Sequence, residues 1–160
     1  MGVFFSGREL VDIAIGIERN GASFYESLAK SAGNKTAKDV YEHLAGEERK
    51  HVGIFQSMLG PVADYRSPEI YTEEYDVYLK ALVGSAIFPD EQVARAVAQK
   101  VSNAAEAIQM ALSAEKESIL FYSEMRGLVR QSDRNVMDKI IEEERSHVRQ
   151  LSDLKKDLDK

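Results

Sequence analysis

Two copies of the pattern Glu-x-x-His are the residues in this sequence whose types and spacing are best suited to chemistry. The first copy places Glu48 three residues before His51, and the second places Glu144 three residues before His147. Residues three apart in a helix lie one turn apart on the same face, so both side chains can reach one metal ion. One such pair alone is usually a solvated surface pair, whereas two pairs predict a metal site.

The two pairs belong to a longer internal repeat. Glu18 lies seven residues before Tyr25, as Glu115 lies seven residues before Tyr122. The offset between the copies is 97 residues for these glutamates (18 to 115) and 96 for the histidines (51 to 147). A nearly constant offset predicts a bundle with pseudo-twofold symmetry, in which equivalent positions face each other across the axis.

Each of the four glutamates lies in the middle of an apolar stripe with helical periodicity. The four stripes are Val11, Ile15, Glu18, Ala22 and Tyr25; Val40, Leu44, Glu48, His51 and Phe55; Ile108, Leu112, Glu115, Ile119 and Tyr122; and Met137, Ile141, Glu144, His147, Leu151 and Leu154. An ionised carboxylate buried without a cation is very costly. The basic residues that directly follow the glutamates point about 100° away around the helix. Two divalent ions would balance four glutamates with both histidines neutral, so we predict a two-ion centre.

An alternative register runs one residue earlier, through Glu47 and Glu143. The stripe through Glu143 would include Gln150, whereas the stripe through Glu144 includes Leu151. Because an apolar residue suits a buried stripe better, Glu144 is favoured as the ligand, and by symmetry so is its counterpart in the first copy.

Tyr25 and Tyr122 lie on the same helix faces as Glu18 and Glu115. Each hydroxyl could orient a metal ligand and so contribute to catalysis from behind the ligands. Packing as ordinary core tyrosines is an equally good interpretation.

Four long helices must position these residues. Proline occurs only at positions 61, 68 and 89, so long helices are allowed before and after that region. The predicted helices cover residues 6–33, 36–59, 102–129 and 132–158. Short breaks within each pair predict two antiparallel hairpins, and residues 61–101 must form a crossover with short helices of its own. The expected fold is an all-α four-helix bundle, with one domain spanning residues 1–160.

Composition narrows the classes of function. Within its 160 residues the sequence has no cysteine, which excludes disulfides, iron–sulfur clusters and thiol chemistry. The net charge of −6 disfavours a nucleic-acid partner. No apolar run approaches the ~18 residues of a membrane helix, so we expect no membrane association and a cytoplasmic protein.

The stripe glutamates, the two Glu-x-x-His pairs and the Phe-Tyr pair after each lone glutamate resemble the ferritin-like superfamily. They are most similar to the di-iron domain of the rubrerythrin family, over residues 6–58 and 102–158. The resemblance implies that iron is the metal. The implied iron ligands are Glu18, Glu48, His51, Glu115, Glu144 and His147, with Glu48 and Glu144 as the bridging carboxylates.

The sequence departs from the rubrerythrin pattern in two ways that bear on function. Because it has no cysteine, it lacks the rubredoxin module that normally supplies electrons, so the resemblance implies an external electron-donor protein. Ser118 stands where rubrerythrins carry an additional glutamate, which questions whether their peroxide-linked iron movement occurs here. A homodimer is the expected assembly.

Three functions follow from these features. The leading prediction is a non-haem di-iron oxidoreductase that reduces peroxide or dioxygen, with Gly21 and Ser118 leaving room for a small oxidant. The second is an iron-binding or ferroxidase protein for iron handling or storage. The third is a di-manganese catalase, because the ligand types alone do not separate manganese from iron.

Overall fold

The computed structural model describes residues 4–62 and 71–160, and within these ranges the chain forms six helices and no strand. The prediction of an all-α bundle is confirmed. The helices are α1 (Gly7–Ser31), α2 (Lys35–Val62), α3 (Glu73–Gly84), α4 (Glu91–Lys100), α5 (Ala104–Arg126) and α6 (Gln131–Leu158). Among these described segments, none is both long enough and apolar enough to cross a membrane.

Short polar side chains begin five of the helices. Each accepts a hydrogen bond from the backbone N–H three residues ahead, which satisfies a donor that the first turn leaves free. The capping residues are Ser6, Asn34, Thr72, Asp90 and Asn103. The local sequence therefore determines where these five helices begin.

The helix ends differ in places from the sequence prediction. The sequence predicts that the second helix ends at residue 59, but the helix continues to Val62. A proline so near the end of a helix removes only one backbone hydrogen bond, so Pro61 does not stop it. The third long helix is predicted over 102–129, whereas α5 begins after its Asn103 cap and ends before Gly127.

Two hairpins make up the bundle, one of α1 with α2 and the other of α5 with α6. The crossover between them carries α3, which packs against α5, and α4, which packs against α1. Residues 63–70 of the predicted crossover lie outside the described residues. The Tyr71 hydroxyl donates to Asp76 Oδ1 at 2.7 Å and accepts the Phe5 N–H at 3.1 Å. Tyr75 bonds to Glu124. These contacts fasten the crossover to the start of the chain and to α5.

The apolar core consists of two separate clusters. One contains the first half of α1 with the second half of α2, exemplified by Val11 and Phe55. The other contains the second half of α1 with the first half of α2, exemplified by Leu28 and Leu44. The first cluster also contains the second half of α5 with the first half of α6, and the second cluster contains the first half of α5 with the second half of α6. A layer of buried polar residues therefore separates two apolar ends of the bundle.

Candidate metal centre

The layer between the two apolar clusters contains all six residues that the sequence identifies as ligands. Each of them is at most 4% exposed: Glu18, Glu48, His51, Glu115, Glu144 and His147. One lone glutamate comes from α1 and one from α5, and one Glu-x-x-His pair comes from each of α2 and α6. The antiparallel hairpins bring these positions to the same height because each lies near the middle of its helix.

The six residues form two groups that share two carboxylates. In the first group, His51 Nδ1 lies 2.7 Å from Glu144 Oε1, 3.5 Å from Glu18 Oε2 and 3.8 Å from Glu48 Oε2. Donor atoms about 2.1 Å from one ion are expected to lie about 3 Å from each other. These separations are therefore those of atoms around a common ion.

The second group repeats the first on the other side of the axis. His147 Nδ1 lies 3.4 Å from Glu144 Oε2, 3.5 Å from Glu115 Oε1 and 3.6 Å from Glu48 Oε1. Glu48 and Glu144 thus direct one oxygen to each histidine. This is the geometry in which a carboxylate can bridge two ions.

Unsatisfied atoms show that the layer fits metal ions better than hydrogen bonds. Six buried atoms of this layer have no hydrogen-bond partner: Glu18 Oε2, His51 Nδ1, Glu115 Oε2, both side-chain oxygens of Glu144, and His147 Nδ1. Even His51 Nδ1 and Glu144 Oε1, 2.7 Å apart, are not aligned to bond each other. Buried polar atoms are normally satisfied. Their convergence fits a dinuclear centre, in which the lone pairs point at the ions instead.

The electrostatics of the metal-free layer are unfavourable to ionised carboxylates. Burial, followed by repulsion from Glu144, raises the pKa of Glu115 to about 8. Burial and the charge of Glu48 raise the pKa of Glu18 as well. Burial lowers the pKa of His51, but the surrounding carboxylates outweigh it and shift that pKa upward overall. Without metal, the centre therefore holds extra protons in place of cations.

Tyr25 and Tyr122 hold ligands across the pseudo-twofold axis. The Tyr25 hydroxyl on α1 donates to Glu115 Oε1 on α5, and the Tyr122 hydroxyl on α5 donates to Glu18 Oε1 on α1, each at 2.5 Å. Both tyrosines are buried. Each therefore orients the glutamate of the opposite hairpin rather than the glutamate on its own helix. In Glu18 the second oxygen, Oε2, faces His51. In Glu115 the oxygen that bonds Tyr25, Oε1, also lies 3.5 Å from His147 Nδ1, and Oε2 has no hydrogen-bond partner.

Glu143 is a functional residue that the sequence reasoning passed over. Its Oε2 lies 2.6 Å from His51 Nε2, so it can accept the ring proton while Nδ1 faces the centre. A carboxylate behind a metal-binding histidine fixes the ring and strengthens it as a donor. The alternative register already placed Glu143 near the helix face that carries the histidine. It treated Glu143 as a rival to Glu144 for metal binding and did not predict a supporting role.

The equivalent carboxylate in the first hairpin does not repeat this contact. Glu47 bonds to Lys50 at 2.7 Å. In the second hairpin the position of Lys50 is taken by Ser146, which is too short to divert Glu143. The pseudo-symmetry is therefore broken behind the histidines. Within residues 4–62 and 71–160, only His51 has a carboxylate partner of this kind.

An all-α bundle with two lone glutamates and two Glu-x-x-His pairs is the arrangement of ferritin-like di-metal carboxylate proteins. The chain also matches the Rubrerythrin family model over residues 9–155. It belongs to the rubrerythrin family. A crystal structure from Thermotoga maritima, described as a ferritin-like diiron-carboxylate protein, is 26% identical, and the match covers 98% of both chains with a TM-score of 0.71. No curated protein matches this chain.

Metal removal should destabilise the protein, because the buried carboxylates lose the cations that neutralise them. For two sites each saturated about 100-fold above their Kd, we expect a fall in Tm of roughly 10 to 20 °C. Differential scanning calorimetry of loaded and chelated protein, with metal content measured on the same samples, checks this. An unchanged Tm after verified removal of two ions per chain would count against the centre.

The stability of the metal-free protein should fall as pH rises from 5.5 to 8.5. Glu115 has a pKa raised from 4.5 to about 8, so in this window the folded state binds more protons than the unfolded state. The raised pKa of Glu18 and of both histidines acts in the same direction. The lowered pKa of Glu144 acts only below 4.5.

Urea unfolding of chelated protein at three pH values measures this slope. Glu115→Gln should have a shallower slope, because one titrating group is removed while the surface charge that also responds to pH is retained. A metal-free protein that becomes more stable towards pH 8.5 would contradict the assignment.

Loss of the carboxylate behind His51 should weaken one of the two ion sites. We expect Glu143→Ala to lower the affinity of one site by about 10- to 100-fold. Glu47→Ala is the matched control, since Glu47 is the pseudo-symmetric residue and is held by Lys50. Competition titrations against a chelator resolve the two affinities. Equal effects of the two substitutions would show that the asymmetry has no consequence for binding.

Proposed function

We propose that this chain is a non-haem di-iron oxidoreductase that reduces hydrogen peroxide or dioxygen with electrons from an external donor protein. The observation that carries the proposal is the pair of carboxylates, Glu48 and Glu144, each with one oxygen towards each histidine. Two ions held this way could act together on one small oxidant. Bound iron would supply the electron-transfer chemistry.

In this proposal the six ligands have distinct tasks. Glu48 and Glu144 belong to both groups and would hold both ions. Glu18 and Glu115 complete one ion each, from the same hairpin as the histidine they accompany. The negative charge of the four carboxylates would balance the positive charge of bound iron. Both histidines are buried and supply neutral nitrogen donors.

Tyr25 and Tyr122 serve as positioning residues in this proposal. Their hydroxyls keep one oxygen of Glu115 and of Glu18 engaged, which limits the rotation of those two ligands. Gly21 leaves space directly beside Glu48, since a Cβ placed there would lie 3.5 Å from its carboxyl carbon. A small oxidant could enter at this point.

The balance of the proposed reaction requires a donor. Reduction of one peroxide to two waters breaks the O–O bond and consumes two electrons and two protons. The chain itself contains no cysteine-based redox group that could store those electrons. An external donor protein is therefore part of the proposal. We also propose a homodimer as the working assembly.

Steady-state turnover tests it. Iron-loaded protein with reduced methyl viologen as donor should consume peroxide at two electrons per molecule, and Glu48→Ala should lower kcat/KM by about 100-fold or more. Glu47→Ala is the control, because this neighbouring carboxylate points to Lys50 and leaves the centre intact. Absence of turnover in protein that holds two irons per chain would overturn the proposal.

The same experiment separates the two alternatives. Accumulation of iron far beyond two per chain, without donor-dependent turnover, would favour iron handling or storage. Peroxide loss with oxygen release and no donor, strongest with manganese, would favour a catalase.

A further inference from the structure

A cavity of about 250 Å³ lies beside the metal centre, between α1, α5 and the crossover segment 82–89. On α1 and on α5, the helix face that lines the cavity is next to the face that carries the lone glutamate. Three pairs of wall residues are equivalent in the internal repeat: Ile17 and Ala114, Gly21 and Ser118, and Phe24 and Phe121. The cavity thus lies on the pseudo-twofold axis, over both halves of the centre.

Three polar side chains of the cavity wall that lie outside the metal centre are already engaged. Asn20 Nδ2 donates to the Phe88 carbonyl at 2.9 Å, and Glu117 Oε2 accepts the Ile87 N–H at 3.0 Å. These two residues are also equivalent in the repeat, and together they fasten the crossover segment over the cavity. The Ser118 hydroxyl donates to the carbonyl of Ala114 on its own helix at 3.1 Å. The rest of the wall is mainly aliphatic and aromatic.

Two of the predicted metal ligands line the cavity. Glu48 and Glu115 both line it, and Glu115 Oε2 is buried without a hydrogen-bond partner. Gly21 lets the space reach the Glu48 carboxyl group, which a larger side chain would cover. A molecule that fills the cavity would therefore meet apolar walls along its body and the metal ligands at one end.

The size and lining do not match what a small oxidant needs. Peroxide and dioxygen are only two heavy atoms long, and peroxide would lose its hydrogen bonds to water against an apolar wall. A cavity of about 150 Å³ with a similar lining can hold benzene, so this one has room for a larger apolar body. Sites for small organic ligands share this combination of apolar walls and a few polar groups at one end.

We propose that the cavity binds an organic molecule with an aliphatic chain and one oxygen-bearing end group, and that the end group is directed at the metal centre. The binding itself is independent of the proposed function. Its use, which places an organic molecule where the oxidant reacts, rests on that proposed function.

Decanoate and acetate are the probes, because they share an end group and differ in the aliphatic chain. Calorimetric titration of anaerobic iron(II)-loaded protein should give a decanoate affinity at least about 100-fold above that of acetate, since each buried methylene adds several-fold. Metal-free protein should bind decanoate more weakly, because its carboxylate then has no metal cation to contact. Decanoate binding no tighter than acetate binding would overturn the proposal.

Gly16→Leu tests the location. Gly16 lines the cavity, and a Cβ added there meets nothing within 4 Å, so the leucine can occupy the space without displacing the fold. Gly53→Leu is the matched control, because Gly53 is also open to a Cβ but lies on α2 away from the cavity. We expect at least about a 10-fold loss of decanoate affinity in Gly16→Leu and none in Gly53→Leu, with two irons per chain retained in both.

Ala114→Leu, on the opposite wall, is a second cavity variant and should weaken decanoate binding in the same way. Equal affinities in the cavity variants and in the control would place decanoate elsewhere and overturn the proposal. Peroxide turnover without chain-length-dependent binding would refute the organic-ligand site and support the oxidoreductase proposal. Chain-length-dependent binding without peroxide turnover would support the ligand site and refute the oxidoreductase proposal.

Discussion

Repulsion among four buried carboxylates is the interaction on which the rest of the structure depends. The four glutamates lie at one height in a layer with apolar clusters on both sides: Glu18, Glu48, Glu115 and Glu144. The clusters keep the carboxylates away from bulk water and from lysine side chains that could pair with them. The protein can reduce this repulsion by taking up protons or by binding cations. The unpaired atoms that converge on two points make cation binding the better solution, and the tight helix packing above and below the layer holds those points in place.

The internal repeat explains how so much of the layer is built from few elements. Each hairpin supplies one lone glutamate, one Glu-x-x-His pair and one tyrosine. The two hairpins together provide all six predicted metal ligands. The repeat also shows where the halves have diverged. Lys50 diverts Glu47 in the first hairpin, whereas Ser146 leaves Glu143 free to bond His51. The two ion positions therefore have matching ligands but different support behind them.

The sequence alone was sufficient for the fold and for the six residues that meet in the layer, because a carboxylate at the centre of every apolar stripe requires a cation that the neighbouring side chains do not provide. It also favoured Glu144 over its neighbour, through the single contrast of Leu151 with Gln150. What it could not supply were contacts that depend on how separate elements meet. One example is the hydrogen bond between Glu143 and His51. Others are the hydrogen bonds of Asn20 and Glu117 to the crossover, which also join residues that are distant in the chain. Some helix ends differ from the prediction by a few residues, because Asn103 caps α5 and Pro61 does not end α2.

The crossed tyrosine bonds have a consequence for how the protein folds. Each hairpin is made of local contacts and is expected to form early, whereas the bonds from Tyr25 to Glu115 and from Tyr122 to Glu18 close only when the hairpins dock. A hairpin by itself has a lone glutamate with no hydroxyl to hold it and only half of the shared carboxylates. Ordered ligands thus arise late, as a product of docking, and metal captured at that stage would lock the two halves together.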